Sequence, residues 1–436
     1  MKMYRRVLLL LLWSSTTGFQ LEAQQTKADP RPLQEVRAKA EVGEADSQVE
    51  LGLCYIKGDG VAEDQVEAVK WFRKAAQQNY ARGQFHLGMS YAEGEGVAKD
   101  PVEAVKWFRK AAEQNLADAQ SRLGFQYTMG EGVAKNPAEA VKWYRKAAEQ
   151  NYAKGQLNLG VCYELGEGVA KDPVEAVKWF RKAAEQNLAP AQFHLALSYD
   201  KGEGVPKDRV EAVKWYRKAA EQDFAPAQNL LALCYEQGAG VTKDQAEAVK
   251  WYRKAAEQNL APAQHSLGVC LYTGAGVEQD HAEAVKWFRK AAEQGYAEAQ
   301  YYLGSCYVSG LGVGKDQAEA VKWFRKAAEQ QNAAAQYNLG VCYANGQGVA
   351  EDVVEALKWY RLAAEQNYAQ AQANLGLRLC TGNGVKQDFV EGYKWLLLAA
   401  KQYDDNAMRD RTWLAPALTR EQMAEAQKRA DDFKPR

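Results

Sequence analysis

The chain has 436 residues, of which 47% are hydrophobic, and its 56 Lys and Arg side chains are balanced by 56 Asp and Glu side chains. The formal net charge of zero at pH 7 therefore favours neither nucleic acid nor an acidic membrane surface as a partner. The chain has seven cysteines and four histidines, so whether any of them serves thiol or metal chemistry has to be judged from its position in the sequence.

Residues 1–23 are predicted to be a secretory signal peptide. Basic residues at positions 2, 5 and 6 precede an apolar run at 7–13, and a small polar stretch follows at 14–18. The run is too short to span a bilayer stably, and this arrangement is typical of a signal. We expect an exported protein, cleaved after residue 18 or 23, that keeps no stable membrane span. A short uncleaved anchor is the alternative.

Residues 24–44 are predicted to form a linker and an N-terminal capping helix. Leu33, Val36 and Ala40 fall on one helical face. One period before the first full repeat, Ala40 matches the column of Ala76. We interpret this segment as a degenerate second helix that shields the end of a stack of repeats.

Residues 45–404 consist of ten copies of a 36-residue unit, and no insertion or deletion breaks the spacing. A period of this length predicts stacked supersecondary units rather than a globule with one central core. We name each column of the repeat by its residue number in the first copy. One tryptophan marks each copy, at Trp71, Trp107, Trp143, Trp179, Trp215, Trp251, Trp287, Trp323, Trp359 and Trp395.

Each copy is predicted to be a pair of helices. The first helix spans Ala45–Lys57 and ends at Gly58, because glycine adopts the left-handed conformation of a helix end without steric cost. The second helix begins after Asp64, and Glu67 stands at the spacing of a capping box. It ends near Asn79, whose column is mostly Asn or Gly.

Several columns are nearly constant along the chain, and we interpret them as the packed framework. Small residues in columns 52, 68 and 75 let helix axes approach closely, while aromatic residues fill the remaining space. An aromatic stripe could also be a stacking platform for bases or sugars, but its recurrence in every copy favours a core. The framework columns are Leu51, Tyr55, Val61, Ala68, Trp71, Phe72, Ala75 and Ala76.

The repeat pattern resembles that of a known family. It reads A-x-x-Q-x-x-L-G-x-x-Y-x-x-G-x-G-V-x-x-D-x-x-E-A-V-K-W-F/Y-R-K-A-A-E-Q and is similar to the Sel1-like repeat, a relative of the tetratricopeptide repeat. The resemblance covers residues 45–404 and implies an all-α, right-handed α/α superhelical solenoid. It further implies an adaptor whose first helices line a concave face and hold a protein or peptide, and a periplasmic or secreted bacterial location.

The first helices carry the predicted binding residues. Columns 46, 49, 53, 56 and 57 vary from copy to copy, and this spacing defines one side of a helix. Large aromatic residues recur in column 49, where unconstrained exposure would give polar residues, and aromatic residues are typical binding anchors. Packing against neighbouring first helices is the alternative. The candidate partner-binding residues are Phe85, Leu157, Phe193, His265, Tyr301 and Tyr337.

The second helices repeat a charge set that includes Glu103, Lys106, Arg109 and Glu113. Parallel copies would form a basic stripe that could hold an anionic cell-wall polymer. Because Arg109 and Glu113 stand four residues apart and Glu103 and Lys106 three apart, the charges compensate within the helix. We favour a solvated outer face.

No catalytic, cofactor or metal site is predicted. Ser198 and Lys201 match the S-x-x-K motif of penicillin-recognising enzymes, but the accompanying motifs are absent from the sequence. His86 and His194 share a column three repeats apart, too far for one metal ion. We expect a monomeric, non-enzymatic scaffold. A secreted or surface factor that binds a host protein and, least favoured, a penicillin-recognising enzyme are further alternatives.

Six of the seven cysteines share column 54 and are predicted to be buried thiols. Units stacked roughly 8–10 Å apart exceed the reach of a disulfide. Cys380 lies two residues off this column on a variable face, which predicts an exposed thiol. The column-54 cysteines are Cys54, Cys162, Cys234, Cys270, Cys306 and Cys342.

Residues 405–436 are predicted to form a C-terminal capping helix. Leu397 and Leu398 replace residues that are charged in most second helices, as expected where something covers them. Thr419 and Gln422 have capping-box spacing, and the residues at 423, 426, 430 and 433 line one helical face. Trp413 and Leu414 are expected to wedge in before this helix.

Truncation after Asp404 is therefore predicted to cause aggregation, because Leu397 and Leu398 would become exposed. Size-exclusion chromatography with light scattering checks this. A soluble and equally stable truncation product would contradict the cap.

Overall fold

The computed structural model describes residues 32–435, so the predicted signal peptide and most of the predicted linker lie outside the described residues. The described part is all-helical, with 23 α-helices, one short 3-10 helix and no strand. The first helix of the described range, Leu33–Glu41, precedes the repeats, and the last ones, Asp405–Leu414, Ala415–Ala417 and Arg420–Asp431, follow them.

The ten repeats have helix boundaries that are almost identical in register. The first helices are Ala45–Lys57, Ala81–Glu93, Ala117–Met129, Ala153–Leu165, Ala189–Lys201, Ala225–Gln237, Ala261–Thr273, Ala297–Ser309, Ala333–Asn345 and Ala369–Thr381. The second helices are Gln65–Gln77, Pro101–Glu113, Pro137–Glu149, Pro173–Glu185, Arg209–Ala220, Gln245–Glu257, His281–Glu293, Gln317–Glu329, Val353–Glu365 and Phe389–Lys401.

The described residues form two compact units, 32–224 and 225–435, with five repeats in each. Within each unit, every first helix packs against the second helix of its own repeat, and that second helix packs against the next first helix. This succession of helix pairs is the arrangement of an α-solenoid and confirms the predicted fold class.

The second helices begin at capped residues, although the predicted capping box is only half formed. The Asp64 carboxylate accepts the Glu67 backbone N–H at 2.9 Å. The Asp64 N–H donates to the Tyr55 carbonyl at 3.0 Å, and the Glu67 carboxylate accepts from Lys70 at 2.7 Å. The prediction of a reciprocal bond was wrong because both groups have other partners. Asp or Asn caps the second helix in all ten repeats.

Within each unit, a loop glycine packs closely against the preceding repeat. Gly132 has φ +70°, and a Cβ added there would overlap the backbone carbonyl of Pro101, the first residue of the preceding second helix. The same close approach recurs at Gly96, where the overlapped carbonyl belongs to Gln65. Glycine is therefore needed at this column both for its backbone conformation and for space.

Buried glutamines form a second junction between repeats. The Gln84 amide donates to Asn79 Oδ1 of the preceding repeat at 2.9 Å. Gln114, at the end of the same repeat, donates to Gln84 Oε1 at 2.7 Å. In the next repeat Gln120 donates to the Ala112 carbonyl at 3.2 Å and accepts from Gln150 at 2.7 Å. This glutamine junction recurs along both units and satisfies the polar groups at the ends of the second helices.

The constant aromatic columns form the core. Phe72 is fully buried against Gly52, where an added Cβ would lie 2.5 Å from the ring. Trp71 is buried as well, and Lys74 covers its ring with the ammonium 3.6 Å from the centroid. The aromatic framework is therefore packing rather than a platform for bases or sugars.

Helices beyond the repeats cover both ends of the array. At the N-terminal end, Val36 and Ala40 are buried, and Gln48 donates to the Ala40 carbonyl at 3.2 Å. At the C-terminal end, the Trp395 and Phe433 rings meet at 5.3 Å, and Lys401 pairs with Asp431 at 2.7 Å.

At the C-terminal end, the prediction for Trp413 was wrong, whereas the other predictions for the cap agree with the structure. Leu397, Leu398 and Leu414 are buried, and the capping box between Thr419 and Gln422 is present. Trp413, however, is 66% exposed and does not wedge into the cap. It precedes Leu414 by one residue, and neighbouring positions of a helix point in different directions.

The cysteines are all free thiols. Cys162, Cys270, Cys306 and Cys342 are buried, whereas Cys54 and Cys234 are partly exposed. Cys380 is only 1% exposed, so the prediction of an exposed thiol was wrong. Its sulfur occupies the space left by Gly392 in a column that otherwise holds alanine, and burial raises the pKa of the Cys380 thiol to about 12.

We predict that Gly132→Ala lowers the urea midpoint of unfolding more than Gly130→Ala. Both glycines have positive φ, so each variant loses about 1 kcal/mol or more from backbone strain. Only at Gly132 does the new Cβ overlap backbone; at Gly130 the nearest atom is Lys135 Cβ at 3.2 Å. The difference should be about 1–3 kcal/mol. Equal midpoints by circular dichroism would contradict the proposed junction.

Candidate functional site

The candidate site is a stripe along the first helices, made by columns 49, 53 and 57. These columns are four residues apart and therefore share one face of a helix. We call this face the first-helix stripe. The two units differ sharply in how much of it is accessible, so each unit is described in turn.

In residues 32–224 the stripe is largely buried. The predicted contact residues Phe85, Leu157 and Phe193 are 8%, 3% and 2% exposed. The Phe85 ring lies 5.9 Å from Phe108, and the Phe193 ring lies 6.0 Å from Tyr216; in both pairs the second ring belongs to the second helix of the same repeat. These three side chains therefore fill the space between paired helices.

Polar residues of column 50 close the stripe of this unit. Arg122 lies 3.5 Å from Glu93, His194 lies 3.5 Å from Glu164, and Asn158 donates to Ser121 at 3.4 Å. Burial lowers the pKa of Arg122, and the nearby Glu93 carboxylate opposes that shift. All of these contacts join consecutive repeats. The first helices of repeats 1 and 2, and of repeats 3 and 4, approach each other closely.

In residues 225–435 the stripe is more open. His265, Tyr301 and Tyr337 are partly exposed. Each ring packs against an aromatic residue in the second helix of its own repeat, at centroid distances of 5.9, 6.1 and 5.9 Å. One side of each ring is thus fixed by packing while another side stays accessible. In this unit the structure leaves the predicted residues available for contact.

Two tyrosines that sequence reasoning missed connect these residues. The Tyr302 ring lies 5.2 Å from His265 and 5.5 Å from Tyr301. The Tyr368 ring lies 5.4 Å from Tyr337. Burial raises the pKa of Tyr368, with smaller contributions from the phenol groups of Tyr301 and Tyr337. We call Tyr301, Tyr302, Tyr337 and Tyr368 the tyrosine cluster.

The missed signal for Tyr302 was present in the sequence. Column 50 varies as strongly as column 49, and it holds Glu50, His86, Arg122, Leu230 and Tyr302 among its residues. Column 49 was predicted to bind a partner because it holds large aromatic residues, whereas column 50 mixes charged, polar and apolar types. Variation alone would have identified both columns.

Cations of the second helices have partners within the chain in most repeats. Lys106 pairs with Glu103 at 2.8 Å, and the Lys110 ammonium lies 4.2 Å above the Trp107 ring. Arg109 donates to the Tyr127 hydroxyl at 2.7 Å, rather than pairing with Glu113 as predicted. A cation on the outer face that already has a partner gains less from an anionic polymer than a free one would.

The catalytic motif has no accessible nucleophile. Ser198 is buried, and its hydroxyl donates to the His194 carbonyl at 3.0 Å. Among residues 32–435, no three His, Cys, Asp or Glu side chains are placed to share a metal ion. No helix in that same range is both long enough and apolar enough to cross a membrane.

Comparisons with known proteins agree with this architecture. The family model described as Sel1 repeat matches residues 45–80, 81–116, 117–152, 153–188, 189–224, 225–260, 261–296, 297–332, 333–368 and 369–404. A comparison with curated proteins gave no match.

Two solved structures are similar along most of their length. The crystal structure of c5321, described as a protective antigen present in uropathogenic Escherichia coli strains displaying an SLR fold, is 36% identical with a TM-score of 0.58. The alignment covers 93% of this chain and 94% of that chain. A Sel1 repeat protein from Oxalobacter formigenes is 35% identical with a TM-score of 0.52, over 73% of this chain and 91% of that one.

We predict that His265 makes the protein less stable at acidic pH. Burial lowers the pKa of His265 from 6.5 to about 4. Between these values the unfolded chain binds a proton that the folded chain does not, so stability falls as pH decreases from about 6.5 towards 4. In His265→Phe this part of the pH dependence should disappear, and Phe already occupies the column at Phe85 and Phe193.

The measurement is the urea midpoint at pH 7 and at pH 4.5. The control is Asn229→Phe, which places the same residue in the same column of the preceding repeat and removes no titratable group. This variant should keep the wild-type difference between the two pH values. An unchanged difference in His265→Phe would contradict the prediction.

Proposed function

Because the chain belongs to the Sel1 repeat family, whose members are generally protein-interaction scaffolds, we propose that it is a non-enzymatic scaffold binding a protein or peptide partner. The partner contacts the first-helix stripe of residues 225–404. One observation carries this assignment: His265, Tyr301 and Tyr337 remain partly exposed on a framework that is otherwise packed. Anchored, half-exposed aromatic residues are the usual energetic centres of protein interfaces.

The buried half of the predicted set has a different role in this proposal. Phe85, Leu157 and Phe193 are fixed between helices and have almost no surface left for a partner. They supply rigidity, while the tyrosine cluster supplies contact. Tyrosine suits this role because it offers a large amphipathic surface and loses little conformational entropy on binding.

Export from the cell is part of the proposal. It is supported by the basic and apolar pattern of residues 1–23, which is typical of a secretory signal. The similar chain described as a protective antigen of uropathogenic Escherichia coli is in keeping with a location outside the cytoplasm. The partner would then be a protein of the bacterial envelope or, alternatively, of a host.

Two other functions receive less support. An anionic wall polymer would need free cations on the second helices, where Lys106, Arg109 and Lys110 already have partners. Acylation by a penicillin would need an accessible nucleophile, whereas the Ser198 hydroxyl is buried and hydrogen-bonded to a backbone carbonyl.

The test compares two double variants in the same two repeats. Tyr301→Ser with Tyr337→Ala removes the stripe contacts, and Ser121 and Ala373 show that this column accepts both residue types. Lys322→Gln with Lys358→Gln removes one cation from the outer face of each of those repeats. Each variant is used to capture proteins from the envelope fraction, followed by affinity measurement for the captured protein.

The tyrosine variant is expected to bind its partner at least about tenfold more weakly, since one hot-spot residue is worth 2 kcal/mol or more. The lysine variant should bind as the wild type does. Loss of binding in the lysine variant alone would assign the interaction to the outer face. Matching circular dichroism spectra would show that both variants are folded.

A further inference from the structure

The inference rests on the proposed function and specifies the chemistry of the partner. We infer that the first-helix stripe of repeats 7–9, between His265 and Asn345, binds an uncharged peptide segment through apolar contacts. We call this part of the stripe the uncharged track. Ion pairs and side-chain hydrogen bonds from Ser or Thr have little part in binding there.

The first observation is a change of charge along the stripe. In repeats 1–5 column 57 includes Lys57, Glu93 and Lys201. In repeats 7–9 the three stripe columns hold no Asp, Glu, Lys or Arg. In the neighbouring columns 46, 50 and 56 of these repeats, the only such residue is the exposed Glu298. A charged partner segment would therefore bury its charge without compensation.

The second observation concerns hydrogen bonds. The Ser305 hydroxyl donates to the Tyr301 carbonyl at 3.0 Å, and the Ser309 hydroxyl donates to the Ser305 carbonyl at 3.0 Å. Thr273 donates to the Val269 carbonyl at 2.8 Å in the same way. Each of these hydroxyl groups therefore donates its proton to a carbonyl of its own helix. The Ser and Thr residues of the track therefore offer a partner carbon atoms and acceptors rather than donors.

The adjacent amides follow the same pattern. Asn338 donates to the Ala334 carbonyl at 3.0 Å, and Asn374 donates to the Tyr337 hydroxyl at 3.3 Å. A glycan needs several free donors and acceptors around its hydroxyl groups, whereas the Ser and Thr donors of the track are already used within the chain and the tyrosine hydroxyls are the main polar groups left. Apolar and aromatic side chains of a peptide need only area, which Tyr301, Tyr302 and Val341 provide. The observations therefore favour a peptide over a glycan.

The test uses a phage-displayed library of random dodecapeptides, selected on the full chain and counter-selected on the Tyr301→Ser, Tyr337→Ala double variant. An extended dodecapeptide spans roughly 40 Å, enough to cross several helices packed 8–10 Å apart. Selected peptides are synthesised with a fluorescent label, and Kd is measured at 50 and 500 mM NaCl. We expect them to be depleted in Lys, Arg, Asp and Glu, with Kd changing less than about twofold between the two salt concentrations.

A matched pair of charge variants locates the site. Ser305→Glu places a carboxylate on the track, whereas Leu311→Glu adds the same charge on a loop, at a column that already holds Glu95, Glu131 and Glu167. Ser305→Glu is expected to raise Kd at least about tenfold, and Leu311→Glu less than twofold. Thermal unfolding of both variants shows whether either change reflects misfolding.

Several outcomes would overturn the inference. These are selection of charged peptides, a Kd that rises strongly with salt, binding to a glycan array but not to peptides, and a dimer that the tyrosine substitutions dissociate. If the captured natural partner needs Tyr301 and Tyr337 yet binds in a salt-sensitive way, the inference fails and the proposed function stands. If neither partner nor peptide depends on these tyrosines, both fail.

Discussion

Buried glutamines at the repeat junctions hold the framework in register, and the other features depend on this constraint. Gln84 and Gln120 each join the end of one second helix to the start of the next first helix. The amide also accepts from a glutamine at the end of its own repeat, as Gln114 and Gln150 show. Because the partners are backbone carbonyls and framework amides, the junction is independent of the residues on the stripe. The stripe can therefore change from copy to copy without loss of stacking.

The two units use this freedom in different ways. In the first unit, large side chains and paired polar groups such as Arg122 and Glu93 close the surface of the first helices. In the second unit, Tyr301 and Tyr337 rest on the aromatic residues of their own repeats and keep one side accessible. The same column thus supplies packing in one half of the chain and a candidate contact surface in the other.

Most of the fold could be predicted from the sequence, because ten copies of one pattern allow the constant columns to be distinguished from the variable ones. Constant columns predict the helix pairs, the glycine ends and the core. The exposure of a variable column could not be predicted, since it depends on which side chains of the same and neighbouring repeats cover it. Phe193 and Tyr301 stand in the same column, yet only Tyr301 keeps an accessible surface. Cys380 and Trp413 were misplaced because each lies outside the regular columns or beyond the repeats.

The pairing of column 49 with a ring of the same repeat has a consequence for how such a chain can evolve. Phe85 rests on Phe108, and Tyr337 rests on Tyr360, so each copy carries the support for its own variable side chain. Recombination between copies at the 36-residue period can then delete, duplicate or reorder units while the glutamine junctions between them are kept. The number of repeats and the order of their surface residues can therefore change in evolution while the residues of the core stay the same.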